Sequence, residues 1–414
     1  METQQVKAYT TGTHRTVSPK ETLEKITPLL LKMGITRLAD VTGLDDIGVP
    51  VITACRPNAK AISVSQGKGV SVDAAKASAA MEAIETWHAE NIDLPTRFCS
   101  FNALKENHVV VDLDTLPKMD VKPFNPDERR LWIEAQDLNR EHSYYVPYDL
   151  AHCDFTLPLP QGSGCFQLST NGLASGNTVN EAASHALCEL IERDAMTLWS
   201  FLSSEEQGKR KVDLSTITDP TIGGLLNKLE EADVAVSVWD ATSDIGIATF
   251  VCTIINKTES QYRPLYSMSG SGTHVDKHVA IMRAITEAVQ ARLTLISGSR
   301  DDASIKIYET RQQMEYQRRI RKELMETPSF VDFNKIDSWI FDTIEEDLEL
   351  QIAKLAAQGL PCPLFIDLTK TEFDIPVVKV ISPGLEGIHD VPGYKFGKRA
   401  LAFQANVKAV KESL

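Results

Sequence analysis

The stretch from Gly172 to Met196, GLASGNTVNEAASHALCELIERDAM, has the period of a helix from about Val179 and the Ala, Leu and Ile content of one made for burial. Yet Glu181, His185, Glu189 and Glu192 fall at i, i+4, i+8 and i+11, so three carboxylates share one stripe of it. Two more helices repeat the pattern. In DAAKASAAMEAIETWHAE (Asp73 to Glu90), Ser78, Glu82 and Glu85 lie at i, i+4 and i+7. In DKHVAIMRAITEAVQARLTLIS (Asp276 to Ser297), Arg283, Glu287 and Gln290 do the same. A solvent face normally mixes Lys with Glu and backs onto one apolar stripe. Here the stripes carry almost only acid, among small apolar residues on nearly every side. A buried carboxylate without a partner is costly, so the fold must give these acids something to face.

If the three stripes converge, five or six carboxylates share one cavity and repel one another unless cations hold them. Hard divalent ions suit an all-oxygen set, and Mg²⁺ in particular is held by a few carboxylates together with substrate phosphates. Arg193, directly after Glu192, and Arg283 are then the forked donors for those phosphates. Two Gly-containing segments, SVSQGKG (Ser63 to Gly69) and SGSGTH (Ser269 to His274), precede the second and third of these acid-bearing patterns in the same relation, strand before and helix after. Read as turns, they offer backbone amides to a phosphate, with Lys68 in reach. Glu181 has a rival role, since Thr178-Val-Asn-Glu181 is a capping box. Asp301 and Asp302 are further oxygen ligands, or simply a loop after the helix.

The net charge of −14 argues against a nucleic-acid or anionic-membrane binder, and the one basic run, QRRIRK from Gln317, reads as a solvated helix face. No segment approaches the roughly 18 uninterrupted apolar residues of a membrane span. The N-terminal METQQVKAYTTGTHR has no apolar core of the signal-peptide kind, which predicts a cytoplasmic protein. The seven cysteines are scattered without a C-x-x-C pair, as in a reduced compartment, and none stands in a nucleophile signature. Strand-like runs (PVITACRP, KAISVSQG, VAVSVWDA, IATFVCTII, PLYSMSGSG, PLFIDLT and PVVKVISPG) alternate irregularly with helical ones, including SPKETLEKITPLLLKMGI and a segment from about Ile344 to Gln358. That order predicts an α+β or mixed α/β fold of layered helices and mixed sheets. Neither a G-x-G-x-x-G nor a G-x-x-x-x-G-K-[ST] motif is present, so a nucleotide site here has to be built from helices.

The ordered set S-x-x-x-E-x-x-E (Ser78, Glu82, Glu85), N-x-x-x-E (Asn177, Glu181), E-x-x-E-R (Glu189, Glu192, Arg193) and R-x-x-x-E-x-x-Q (Arg283, Glu287, Gln290) resembles the YcaO superfamily. SQGKG, GSRDD and ISPGLEG look similar too, and the resemblance runs from about residue 5 to residue 390. It implies a single YcaO domain over 1–414, with an ATP-binding core at about 55–300 and a C-terminal α/β portion at about 301–414. It implies ATP and Mg²⁺ as cofactors, and an enzyme that phosphorylates a peptide-bond oxygen so that a nucleophile adds at the carbon. By position, Ser78, Glu82, Glu85, Asn177, Glu181, Glu189, Glu192, Arg193, Arg283 and Glu287 carry the nucleotide and metal contacts, the six glutamates being the metal ligands. Lys7 and Arg15 match the family's N-terminal phosphate contacts. The phrasing ITRLADVTGLDDIGVPVITACRPN looks closer to members that work with a TfuA-type partner, which implies such a partner, a sulfide donor and a peptide thioamide as product. The ending FQANVKAVKESL lacks the Pro-rich tail of many azoline-forming members, and no leader-recognition domain is visible. Azoline cyclodehydration is the alternative, and a non-catalytic accessory protein is the alternative of another class. A homodimer is left open.

Overall fold

The computed structural model describes residues 5–259, 266–300 and 314–413. Among the described residues, seven α-helices precede residue 300: α1 Pro19–Ile26, α2 Val72–Glu90, α3 Phe101–Leu104, α4 Val179–Trp199, α5 Ser204–Gly208, α6 Pro220–Glu231 and α7 Lys277–Ser297. Met314–Glu326, Ile344–Ala357 and Lys398–Ser413 follow. The α1 segment begins as its sequence dictates, with Ser18 in a capping box and Pro19 at the first position. It tightens to a 3₁₀ helix at Thr27–Met33, where Pro28 withholds an amide, and ends on the left-handed Gly34.

Two units of the same order frame the molecule. Strands β1 (Arg37–Asp40), β2 (Val51–Cys55) and β3 (Val64–Lys68) form an antiparallel sheet whose last strand leads into α2. Strands β10 (Val234–Asp240), β11 (Thr249–Asn256) and β12 (Met268–Thr273) form another, whose last strand leads into α7. A six-stranded sheet has the order β4 (Thr96–Cys99), β6 (Arg130–Asp137), β14 (Leu364–Asp367), β15 (Val377–Ile381) and β8 (Leu173–Ser175), with β7 (Ser143–Pro147) paired to β6. The pairs β5 (Lys118–Met119) with β16 (Tyr394–Lys395), and β9 (Val212–Asp213) with β13 (Val331–Asp332), are short ties. Each strand-like run named above contains a strand, although PLYSMSGSG begins outside the described residues. The mixed α/β expectation therefore holds.

The two segments read above as Gly-containing turns are strands in the structure. Gly67 lies so close to α2 that a Cβ there would stand 2.0 Å from the Ala79 nitrogen and 2.3 Å from the Ala75 carbonyl oxygen. Gly272 meets α7 in the same way, with the Ala280 oxygen 2.2 Å from a Cβ position. These glycines let strand and helix backbones touch, which is a packing role and not a phosphate cradle. Ala75, Ala79, Ala80, Ala284 and Ala288 keep the facing helix surfaces equally thin, and all are fully buried.

Three apolar clusters fill the layers. One packs α2 against the six-stranded sheet through Ala80, Ile84, Trp132, Ile133 and Val377. A second lies between α6, α7 and the β10–β12 sheet, and a third holds α4 against β15 and the helix Ile344–Ala357. Helix α4 is thus enclosed on several sides, as its composition requires. The run at Gln317 lies on the helix Met314–Glu326, where Arg319 and Lys322 make i,i+4 pairs with Glu323 and Glu326. No helix among the described residues is long and apolar enough to cross a membrane.

Candidate functional site

The acidic stripes of α2, α4 and α7 face one cavity of about 910 Å³. Helix α2 contributes Ser78, Glu82 and Glu85; α4 contributes Glu181, His185, Glu189, Glu192 and Arg193; α7 contributes Arg283, Glu287 and Gln290. Lys68 enters from the end of β3, Asn177 from just before α4 and Arg15 from the N-terminal segment. The close β3–α2 and β12–α7 contacts set how far apart the acid-bearing faces stand. Gln290 Nε2 donates to the Gln66 carbonyl at 2.8 Å, and Thr294 bonds the Gln66 side chain, so α7 is pinned to β3 across the cavity.

Charge in the cavity is unevenly answered. Lys68 Nζ lies 2.5 Å from Glu287 Oε2, and Glu192 Oε1 accepts from Ser271 Oγ at 2.8 Å. Burial would raise the Glu287 carboxyl, but Lys68 and Arg193 hold it down at about 2. Glu82 and Glu85 have no such cation at contact distance among the described residues. Glu82 is exposed into the cavity, and the protein crowded around that cavity desolvates its carboxyl enough to push it up to about 7 against the pull of Lys68. Burial, assisted by the neighbouring Glu82, takes Glu85 to about 8 although Ser175 donates to it through N and Oγ at 2.8 and 2.7 Å. Glu189 is raised by burial as well, with Arg193 opposing at 3.8 Å. Burial disfavours the charge on Arg193, but Glu192, Glu189 and Glu287 raise its pKa above the ordinary value. His185 is kept neutral, its pKa well below the usual value through burial and the charges of Arg283 and Arg15. The Nε atoms of Arg193 and Arg283 are buried without a hydrogen-bond partner. Buried donors of this kind call for an acceptor the protein itself does not supply.

Every described residue expected at the site lines the cavity except Lys7. Its ammonium is buried elsewhere, bonded to Asp347 at 2.8 Å and to the Phe341 carbonyl at 3.0 Å, so the expectation of a phosphate contact is corrected. A lysine buried to this depth remains where its counter-ion is. The capping box at Thr178 is only half formed. Thr178 Oγ1 accepts from Glu181 N at 3.1 Å, but the Glu181 carboxylate turns to Asn177 and to the N-terminal segment. Its two oxygens accept from Asn177 N and Nδ2 and from Thr16 N and Oγ1, with Arg15 Nε at 3.5 Å. A cation at Glu181 would have to displace one of these donors. Asp301 and Asp302 lie outside the described residues.

Sequence reasoning missed Thr16, Ser175, Ser271 and Gln66, which orient the acids and the strands without carrying charge. Ser175 and Ser271 had one signal, a small hydroxyl residue beside glycine on the strand before an acid-bearing helix. All seven cysteines are free thiols, and burial pushes Cys153 up to about 11.

The family model described as YcaO cyclodehydratase, ATP- and Mg²⁺-binding, matches residues 66–386. A protein encoded in the tfuA 3′ region of Rhizobium leguminosarum bv. trifolii is 35% identical over 377 residues, 90% of this chain and 88% of that one. The fold matches a heterocyclase solved in complex with substrate and cofactor at a TM-score of 0.75 and 24% identity, covering 93% of this chain and 54% of the heterocyclase, about half its length. It also matches YcaO from Methanopyrus kandleri, solved with AMPPCP and Mg²⁺, at a TM-score of 0.72 and 21% identity over 95% and 99% of the two chains. This chain therefore belongs to the YcaO family of ATP- and Mg²⁺-dependent enzymes that modify the peptide backbone.

Proposed function

We propose that the cavity binds ATP with Mg²⁺ and activates a backbone amide of a peptide for replacement of its oxygen by sulfur, in concert with a TfuA-like partner. One observation carries the nucleotide assignment: acids from three helices meet in one walled space beside two guanidinium groups with unpartnered buried Nε donors. Cations answer the acids and phosphate oxygens answer the guanidiniums, so the residues present fit Mg-ATP. Glu82, Glu85, Glu189, Glu192 and Glu287 are the metal ligands in this reading, and Glu181 joins them on release of Thr16. Arg193, Arg283, Arg15 and Lys68 hold phosphate oxygens, with Ser78 and Asn177 as neutral nucleotide contacts.

When bound, ATP supplies the phosphoryl group that makes the amide oxygen a leaving group; hydrosulfide adds at the carbon, the C–O bond breaks, and thioamide, ADP and phosphate carrying the sulfur's proton result. The chain's own residues neutralise and position, which is what phosphoryl transfer asks of a protein. Support for the thioamide over other products comes from the relative encoded beside tfuA. The description cyclodehydratase favours a second reading, in which a Cys, Ser or Thr side chain of the peptide closes an azoline ring.

Mg-ATP is expected to raise the melting temperature, and Glu82→Gln with Glu192→Gln is expected to abolish that rise. An unchanged response in the double variant refutes the nucleotide site. Incubating the protein, its partner, sulfide and candidate peptides from neighbouring coding sequences then reads the product by mass. Exchange of oxygen for sulfur supports the thioamide reading, whereas loss of water supports the azoline.

A further inference from the structure

We infer that Lys68 is a tethered counter-cation that occupies part of the metal site until nucleotide arrives, so that the protein loads the divalent ion only together with the phosphates. The inference rests on the Mg-ATP reading of the cavity. Lys68 ends β3, and its ammonium is on Glu287 of α7, 219 residues away, at 2.5 Å. Glu287 is in turn next to Glu192, since Ser271 donates to Glu192 through Oγ at 2.8 Å and to Glu287 through N at 3.3 Å. Lys68 thus sits on one member of the acid pair that a cation would otherwise bridge, with Arg193 as the second positive charge near both. Its electrostatic reach extends to Glu82 on α2.

A cation arriving alone meets this ammonium in its way. To coordinate Glu287 it must break a part-buried ion pair and leave the Lys68 charge about 5 Å from a divalent ion with nothing to receive it. Even at the dielectric of water that repulsion is worth about tenfold or more in affinity. A cation arriving with triphosphate brings the acceptor Lys68 needs, because the ammonium swings from Glu287 to a phosphate oxygen as Glu287 turns to the metal. The anchors for that exchange are at hand. The backbone of residue 66, two positions before Lys68, is held to Gln290, so β3 remains in place while the side chain alone moves. Lys68 is 17% and Glu287 28% exposed, both toward the cavity, which leaves the side chain room to turn.

The test is binding of Mn²⁺, read by electron paramagnetic resonance, with and without AMPPNP, to the full chain and to the K68M and K68R variants. Without nucleotide, K68M is expected to bind Mn²⁺ about tenfold or more tightly than the parent, and K68R to remain like the parent because its charge is retained. With AMPPNP, K68M is expected to lose affinity, since a phosphate contact is gone. Far-ultraviolet circular dichroism and a cooperative melt establish that K68M is folded. Should folded K68M bind Mn²⁺ alone no more tightly than the parent while Mn-AMPPNP still binds, the inference is overturned and the nucleotide reading stands. If neither protein binds Mn-AMPPNP, the nucleotide reading fails and the inference with it.

Discussion

Replacing Gly67 by Ala tests whether the β3–α2 contact shapes the cavity. The added methyl carbon would stand 2.0 Å from the Ala79 nitrogen, 2.3 Å from the Ala75 oxygen and 2.7 Å from the Ala79 Cα. All three are backbone atoms of one helix, so no side chain can swing aside. Restoring ordinary contact at about 3.5 Å requires strand and helix to part by about 1.5 Å. Overpacking in a core typically costs about 1–3 kcal/mol, and a clash with rigid backbone belongs above that range, at about 4 kcal/mol. With an unfolding entropy of about 0.9 kcal/mol/K for 414 residues, Tm falls by about 4–5 °C. Lys68 and Gln66 flank the site of the clash, so the same shift pulls Lys68 from Glu287 and strains the Gln290 tie. Differential scanning calorimetry reads the first effect, and titration with Mg-AMPPNP reads the second as an affinity loss of at least about tenfold. The matched control is Gly224→Ala in α6, where nothing lies within 4 Å of the added carbon. Ala is favoured over Gly in a helix by about 0.5–1 kcal/mol, so this variant is neutral or slightly stabilised. A Gly67→Ala protein that melts within about 1 °C of the parent and binds nucleotide equally well refutes the role assigned to the contact.

Asp45→Ala leaves Arg292 buried beside Asn256 without its counter-ion, lost from 2.6 Å, and is expected to destabilise by about 3–5 kcal/mol in a urea melt. Asp194 gives a pH signature. Burial raises its carboxyl to about 6 against the opposing pull of Arg399, so the folded state holds this proton more tightly than the unfolded chain does. That contribution is full below the unfolded value near 4 and is lost as pH rises through about 6. Melts between pH 4 and 7 are expected to show the decline in the parent and a flatter curve in Asp194→Asn. Cys153, with its raised pKa and full burial, is expected to resist an alkylating reagent in the native protein, and Cys153→Ala to retain Mg-ATP stabilisation. Rapid native labelling of Cys153 would contradict the packing described.

The acid-bearing helices were legible because their signal is local. Spacing of three and four residues puts Ser78, Glu82 and Glu85 on one face whatever surrounds them. The same holds for the α4 and α7 stripes, and their composition already said that no side of α4 is a plain solvent face. Longer connections were not legible. The hairpin β6–β7, the helix α6 and the helix Lys398–Ser413 were not expected, although α6 carries its own signal in the Asp219 cap followed by Pro220. The glycines of SQGKG and SGSG were visible, but glycine signals a turn and a close backbone approach with the same letter. Only the positions of Ala75, Ala79, Ala280 and Ala284 show which of the two it is.

The chain by itself determined that carboxylates share stripes at helical spacing with arginines among them, and its ordered motifs carried the likeness to the YcaO family. Those are consequences of residue chemistry and of the pitch of a single helix. Tertiary structure alone decided who answers whom. It set Lys68 on Glu287, and it gave Lys7 to Asp347 instead of the cavity. It turned Glu181 toward Thr16, and it laid β14 and β15 between β6 and β8. Each of these joins residues more than 100 positions apart, and such partnerships follow from how the layers pack, for which no spacing rule exists.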